Sequence, residues 1–252
     1  MSAVYPDLAD ASVFITGGGT GIGAALTEGF VAQGAKVAFV DRSDASAFVQ
    51  SLATNARHAP MFIQCDVTDT TALQAAMDQA AKAHGLFKAV INNAANDMRY
   101  DVADVTPQIW DDMQAVNLKA YFFGCQKAAT LMAPQGAIVN YASIAYMMGA
   151  ADLVPYASAN AGISGMTRSL ARAFGPDGIR VNAIAPGWVL TDKQEEMWAT
   201  PETKAAFLAR QCLPEFMAPA DMVGPTLFLA SDASTKMTGQ CMIVDAGVVT
   251  SG

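Results

Sequence analysis

The stretch Val13-Phe14-Ile15-Thr16-Gly17-Gly18-Gly19-Thr20-Gly21-Ile22-Gly23-Ala24, followed by a second apolar run that ends at Asp41, decides the fold. It reads as strand, glycine turn, helix, strand, acid. Gly17, Gly21 and Gly23 permit positive φ and let a pyrophosphate approach bare backbone. A helix opening near Gly21 aims its N-terminal amides at the phosphates, so Gly17, Thr20, Gly21, Ile22 and Gly23 form the predicted phosphate loop. Asp41 is placed to accept hydrogen bonds from an adenosine ribose and to repel a 2′-phosphate, which points to NAD. Arg42 next to it works the other way, because it could pair with that phosphate. The glycines are spaced G-x-x-x-G-x-G rather than G-x-G-x-x-G, and a glycine run alone would suit any flexible turn. Its place between two β-rich segments, with the acid at the end, is what points to a nucleotide.

At 252 residues the chain is long enough for one large α/β core, and no Pro/Ser-rich linker, charge run or repeat divides it. A single domain over 1–252 is expected. Hydrophobic residues make up 52% but fall in short segments, so a transmembrane helix is not expected. The N-terminus carries Asp7 and Asp10 and no basic segment before an apolar one, unlike a secretory signal. Cys65, Cys125, Cys212 and Cys241 are scattered without a CxxC pair, as in a reduced cytoplasmic protein. The formal charge of −8 argues against nucleic acid and anionic membranes as partners.

Apolar runs near 12–16, 36–40, 61–65, 87–91, 136–140, 179–185 and 240–244 read as strands, several apolar on both faces. Helical stretches near 21–33, 44–56, 69–84, 107–132, 154–174 and 219–230 alternate with them. The pattern predicts a Rossmann-type, doubly wound parallel sheet of about seven strands with helices on both faces. In such sheets ligands sit beyond the carboxyl ends of the strands, so the residues after each run are the ones to inspect.

After the third run come Asp66 and Val67, where a carboxylate could bind an adenine amino group. Asp66 or Asp69 could equally cap the next helix. After the fourth come Asn92-Asn93-Ala94-Ala95-Asn96-Asp97; asparagines there can simply close a turn, while the small Ala94 would let a ribose lie close. After the fifth comes Ser143, with Tyr156 thirteen residues further on, and after the sixth come Pro186-Gly187-Trp188-Val189-Leu190-Thr191.

Over essentially its whole length the chain resembles the short-chain dehydrogenase/reductase family. The resemblance rests on Thr16-Gly17-x-x-x-Gly21-Ile22-Gly23, Asp66-Val67, Asn92-Asn93-Ala94-Ala95, Asn117, Ser143, Tyr156 and Pro186-Gly187-x-Val189-x-Thr191. It implies that Ser143 binds the reacting oxygen, Tyr156 transfers its proton, and Asn117 holds a water in a proton relay. It implies that Asn93, Ala94, Pro186 and Gly187 border the cofactor, with Thr191 and the Val189 backbone holding the nicotinamide carboxamide. It also implies a homotetramer, with contacts through the helices near 107–132 and 154–174 and the C-terminal strand.

The residues suit that chemistry. Hydride transfer belongs to the cofactor, and the protein must orient the carbon and exchange a proton at the oxygen. His58 and His84 lie in polar stretches away from the strand ends, and no His/Cys/carboxylate cluster has metal-ligand spacing. A tyrosine is therefore the expected acid/base, with no metal.

One position departs from the family, which has a lysine four residues after the tyrosine; this chain has Asn160. In the family that ammonium binds the nicotinamide ribose and lowers the tyrosine pKa. Asn160 can still hydrogen-bond a ribose but brings no charge. A pKa left two to three units higher corresponds to roughly 3–4 kcal/mol of lost preference for phenolate. Lys119 is two residues from Asn117 and faces elsewhere, and Arg168 would have to reach back about 12 Å. An impaired enzyme, a variant with another relay, a nucleotide-binding protein without catalysis and a deliberately altered chain all fit the sequence.

The stretches around Asn93–Arg99, Trp188–Pro201 and Gln211–Leu213 resemble NAD-dependent aldose 1-dehydrogenases of the family, the D-xylose enzymes in particular. These oxidise a cyclic sugar hemiacetal to a lactone. A lid over 191–214 is expected, with Asn96, Ser143, Tyr146, Trp188 and Gln194 as sugar contacts, since a polyol needs donors, acceptors and an aromatic wall. For these residues packing or turn roles are equally open. A 3-oxoacyl or secondary-alcohol reductase is the nearest rival activity.

Overall fold

The computed structural model describes residues 3–250. Seven strands, β1 (Ser12–Thr16), β2 (Lys36–Asp41), β3 (Met61–Gln64), β4 (Phe87–Asn92), β5 (Met132–Tyr141), β6 (Arg180–Pro186) and β7 (Cys241–Val244), form one sheet. Its order is β3-β2-β1-β4-β5-β6-β7, and every pairing is parallel. Helices are α1 (Gly21–Ala32), α2 (Ser46–Ala53), α3 (Thr70–His84), α4 (Pro107–Gln114), α5 (Ala120–Leu131), α6 (Ala145–Met148), α7 (Val154–Phe174), α8 (Asp192–Met197), α9 (Pro201–Leu208) and α10 (Val223–Ala230).

Alternate strand residues feed two helical layers, as a pleated sheet requires. Val13, Ile15, Val37 and Phe39 pack with Leu26 and Phe30 of α1 and Leu227 of α10. Phe14, Ala38, Val40 and Val90 pack with Leu73 and Met77 of α3, Ala128 of α5 and Leu170 of α7 on the other face. This explains why the runs are apolar throughout: all five residues of β1 are buried. Burying a side chain such as Phe14 or Phe39 contributes about 1.5–3 kcal/mol. Asp69 caps α3 by accepting from the Thr71 and Ala72 amides, and Gly85 at φ 91° ends it.

The strand order reverses between β1 and β4, which lie side by side although β2 and β3 intervene in sequence. Chain ends of strands on either side of that point diverge and leave a crevice.

Three elements differ from the sequence expectation. The stretch 107–132 is not one helix: α4 and α5 are joined by a π turn at Ala115–Lys119, where the Ala120 amide bonds to the Ala115 carbonyl. The β5 strand begins at Met132, which pairs with Phe87, rather than near 136. The stretch 191–214 carries two short helices, α8 and α9, begun by Thr191 and Thr200 caps.

Candidate active site

A cleft of about 1270 Å³ lies beyond the carboxyl ends of the strands, bordered by residues that follow β1 through β6. Its β1 side is a cradle of backbone. Gly17 and Gly21 have φ of 66° and 52°. A Cβ on Gly23 would lie 1.7 Å from the Gly17 carbonyl oxygen, so only glycine lets α1 start so close to the turn. Thr27 Oγ1 donates to the Gly18 carbonyl at 2.9 Å and ties the loop to α1. Thr20, at the N-cap, makes no side-chain capping bond, so the first-turn amides of α1 are left for a ligand; Ile22 lines the cleft beside them.

Asp41 ends β2 at the cleft edge. Its carboxylate accepts from the Gly19 amide at 3.1 Å and the Ser43 amide at 3.2 Å, which fixes it against the glycine loop. Arg42 is exposed and also lines the cleft. Asp66 accepts from the Thr68 amide and hydroxyl at 2.9 and 2.7 Å. Burial works to raise its pKa, but those bonds and the Arg42 charge prevail and hold it low. Asp69, not Asp66, caps α3, which leaves Asp66 with Val67 at the cleft.

The paired asparagines after β4 have separate duties. Asn92 donates to Asn140 Oδ1 at 2.8 Å inside the sheet, and Asn140 donates on to Thr167 at 3.1 Å. Asn93 turns to β1: its backbone amide donates to Thr16 Oγ1 at 2.9 Å and its side chain to the Thr16 and Gly17 carbonyls. The Ala94 amide donates to the same Thr16 oxygen at 3.1 Å. These bonds hold the glycine turn to β4. This backbone cradle, open helix end and terminal carboxylate fit a dinucleotide.

On the other side, Pro186 ends β6 and the Gly187 amide donates to the Val244 carbonyl at 2.9 Å; a Cβ on Gly187 would meet the Asp245 backbone at 2.9 Å. Val189 bridges Met217, and Thr191 Oγ1 accepts from the Gln194 amide at 3.3 Å. Thr191 faces the position of a Gly21 Cβ at 3.2 Å, so the two halves of the cleft meet there.

Tyr156, in the first turn of α7, and Ser143, after β5, both line the cleft. Burial pushes the Tyr156 phenol up to about 12; the Asp97 carboxylate adds to this, and the Ser143 hydroxyl and Asn160 amide offset part of it. Ser143 Oγ accepts from the Ala145 amide at 3.1 Å, so its proton is free to be donated to an oxygen in the cleft.

Several expected residues have other positions. Asn160 does not line the cleft: it is 2% exposed and its amide donates to the Tyr156 carbonyl at 2.8 Å, one helical turn back. Asn117, in the π turn, spends its side chain on the Asn96 backbone, accepting from its N–H at 2.8 Å and donating to its carbonyl at 2.9 Å. Asn96 lines the cleft, but its side-chain oxygen accepts from the Met98 amide, as a turn former does. Tyr146 is outside the lining; its hydroxyl accepts from Ser164 on α7 at 3.1 Å. Lys119 and Arg168 are exposed and outside this cleft.

Trp188 and Gln194 are joined. Trp188 Nε1 donates to Gln194 Oε1 at 2.7 Å, and its ring meets Phe207 and Phe216 edge-on. Gln194 Nε2 donates to Asp97, which also pairs with Lys193. The stretch 191–214 is thus fastened to the β4 loop by one carboxylate. Asp97 and Tyr121 line the cleft and escaped the sequence reading. Asp97 sits beside the flagged Asn96, and Tyr121 lies four residues beyond Asn117, so helical spacing was the available signal.

Similarity to known proteins agrees with this geometry. The family model described as "Enoyl-(Acyl carrier protein) reductase" matches residues 17–249. A probable galactose dehydrogenase of Rhizobium meliloti is 47% identical over 98% of both chains. A D-xylose 1-dehydrogenase of Caulobacter vibrioides is 43% identical, again over 98% of both. The crystal structure of a blue fluorescent protein from a metagenomic library, in complex with NADPH, superposes with a TM-score of 0.90 at 32% identity, covering 97% of this chain and all of that one. A phosphate cradle at the β1 turn, a serine–tyrosine pair across the cleft and relatives matched end to end place this chain in the short-chain dehydrogenase/reductase family, as an oxidoreductase using a nicotinamide cofactor.

Proposed function

We propose that the chain oxidises the anomeric carbon of a cyclic aldose to a lactone with NAD⁺. The observation that carries this reading is full-length similarity to two sugar dehydrogenases, at 47% and 43% identity. The cleft supports it: Ser143 and Tyr156 lie near a wall of Trp188, Gln194, Asp97 and Lys193, which offers donors, acceptors and an aromatic face to a polyol. The cofactor, when bound, accepts the hydride from the sugar carbon. Ser143 donates to the reacting oxygen, and Tyr156 takes the hydroxyl proton. Thr191 and the Val189 backbone hold the carboxamide, and Asp41 binds the adenosine ribose. The 191–214 segment acts as a lid over the sugar.

Asp41, pinned by two backbone amides, supports NAD over NADP, with Arg42 as the opposing charge. Fluorescence titration with NADH and NADPH tests this, and tighter NADPH binding would remove Asp41 from its role. The inward-turned Asn160 amide favours a second reading, a nucleotide-binding protein without turnover. Cofactor titration with a panel of aldoses and secondary alcohols separates the two: NADH formation with an aldose supports oxidation, and binding without turnover on any substrate supports the second reading.

Trp110, Phe122 and Val154, on α4, α5 and α7, are 38–39% exposed, which supports assembly through those helices into a homotetramer. Sedimentation equilibrium measures the assembly.

A further inference from the structure

Tyr121 carries a hydroxyl that the described residues do not satisfy. Its side chain is 2% exposed and packs against Ala142, Ile144, Ile163 and Ala185 at the carboxyl ends of β5 and β6. It also lines the cleft that holds Tyr156 and Ser143. No protein group hydrogen-bonds to its hydroxyl oxygen. Ser12, His84, Trp198 and Gln211 also have a buried atom without a partner, but none of them lines the cleft. A phenylalanine would fill the same volume without leaving a buried polar atom unpaired, which costs free energy.

The surroundings define what that hydroxyl can do. Burial pushes the Tyr121 phenol well above its usual range, and Tyr156 on α7, Tyr141 on β5 and Cys125 on α5 add to the effect. Tyr121 therefore stays protonated and can both donate and accept. Tyr156 is the neighbour that has to change charge in the proposed reaction. It faces the Asp97 carboxylate, which opposes that charge, and Asn160 supplies no cation.

We infer that the Tyr121 hydroxyl anchors an ordered water that hydrogen-bonds towards Tyr156, making Tyr121 a positioning residue for the acid/base group. This rests on the reading of Tyr156 as that group. In sugar oxidation, the proton that Tyr156 takes from the substrate hydroxyl passes from its oxygen to the water, which releases one of its own protons towards solvent. Tyr121 keeps its proton throughout. Its donor stabilises the water while charge develops, as a neutral partner where an ammonium would otherwise serve.

Two measurements on the wild type and Tyr121→Phe test this. A crystal structure with NAD⁺ should show a water about 2.7–3.0 Å from the Tyr121 hydroxyl in the wild type and none at that place in the variant. The pH profile of kcat for aldose oxidation should shift about one unit upward in Tyr121→Phe, with about tenfold lower kcat at pH 7 and KM within about twofold. Thermal stability should be unchanged or higher, because the variant removes an unpaired hydroxyl. A wild-type structure with no water on that hydroxyl, or a variant with the wild-type pH profile, overturns the inference. If the wild type oxidises no sugar, the proposed function fails, and the crystal structure alone decides whether Tyr121 holds the water.

Discussion

The β1 and substrate sides of the cleft are built by opposite means. The β1 side is backbone and short side chains: three glycines, Thr16, and asparagine and aspartate groups fixed by two or more hydrogen bonds each. The substrate side is long side chains, with Trp188 bonded to Gln194 and Gln194 to Asp97 across 97 positions of sequence. The first has almost no room to change, whereas the second can exchange its partners one side chain at a time. A fold arranged in this way keeps one cofactor class while its substrate wall diverges.

That contrast can be broken most directly where the two sides meet in the chemistry. Tyr156→Phe removes the proton acceptor and should lower kcat by about 10²–10⁴-fold, with cofactor affinity nearly unchanged. Stopped-flow or steady-state assays beside a binding titration measure both, and wild-type turnover in the variant would refute the mechanism. Gly23→Ala attacks the rigid side alone. Its Cβ would overlap the Gly17 carbonyl, so NADH affinity should fall about 100-fold or more. Retained affinity would show that the cradle yields more easily than its contacts imply.

Tyr156 also sharpens the contrast through pH. Oxidation needs its phenolate, and burial and Asp97 push the phenol up to about 12. Below that value the phenolate fraction rises about tenfold per pH unit, so oxidation should speed up steadily from pH 7 to about 10. Asn160→Lys should move this limb to lower pH and raise turnover at pH 7 within that range. A pH-independent rate would mean that another step or group limits turnover. The smallest effect is expected on the adaptable side. Gln194→Ala loses its bonds to Trp188 and Asp97 and should raise the aldose KM about tenfold, leaving NADH affinity untouched.

The same contrast explains what could be read from the chain itself. The glycine turn, Asp41 and the strand ends are local patterns, in which backbone geometry ties residue type to position over a few residues. The seven strands were legible because all carry runs of apolar residues. Asn96, Asn160 and Tyr146 were nominated by residue type, but their hydrogen bonds go to Met98, Tyr156 and Ser164. Partner choice among polar side chains depends on packing between distant segments, which spacing does not encode. The apolar continuity of 107–132 likewise hid the turn that divides it.

That π turn makes the helix longer by a fraction of a turn without changing its direction. Each residue in a regular helix rotates the next by about 100°. Deleting one residue between Ala115 and Lys119 would let the helix regain regular winding, but everything after it would be turned by that angle. Tyr121 and Cys125 would leave the sheet, and Phe122, which is 39% exposed, would turn inward. The bulge therefore sets the phase of the second half of the helix: this segment can accept substitutions far more readily than a change in length.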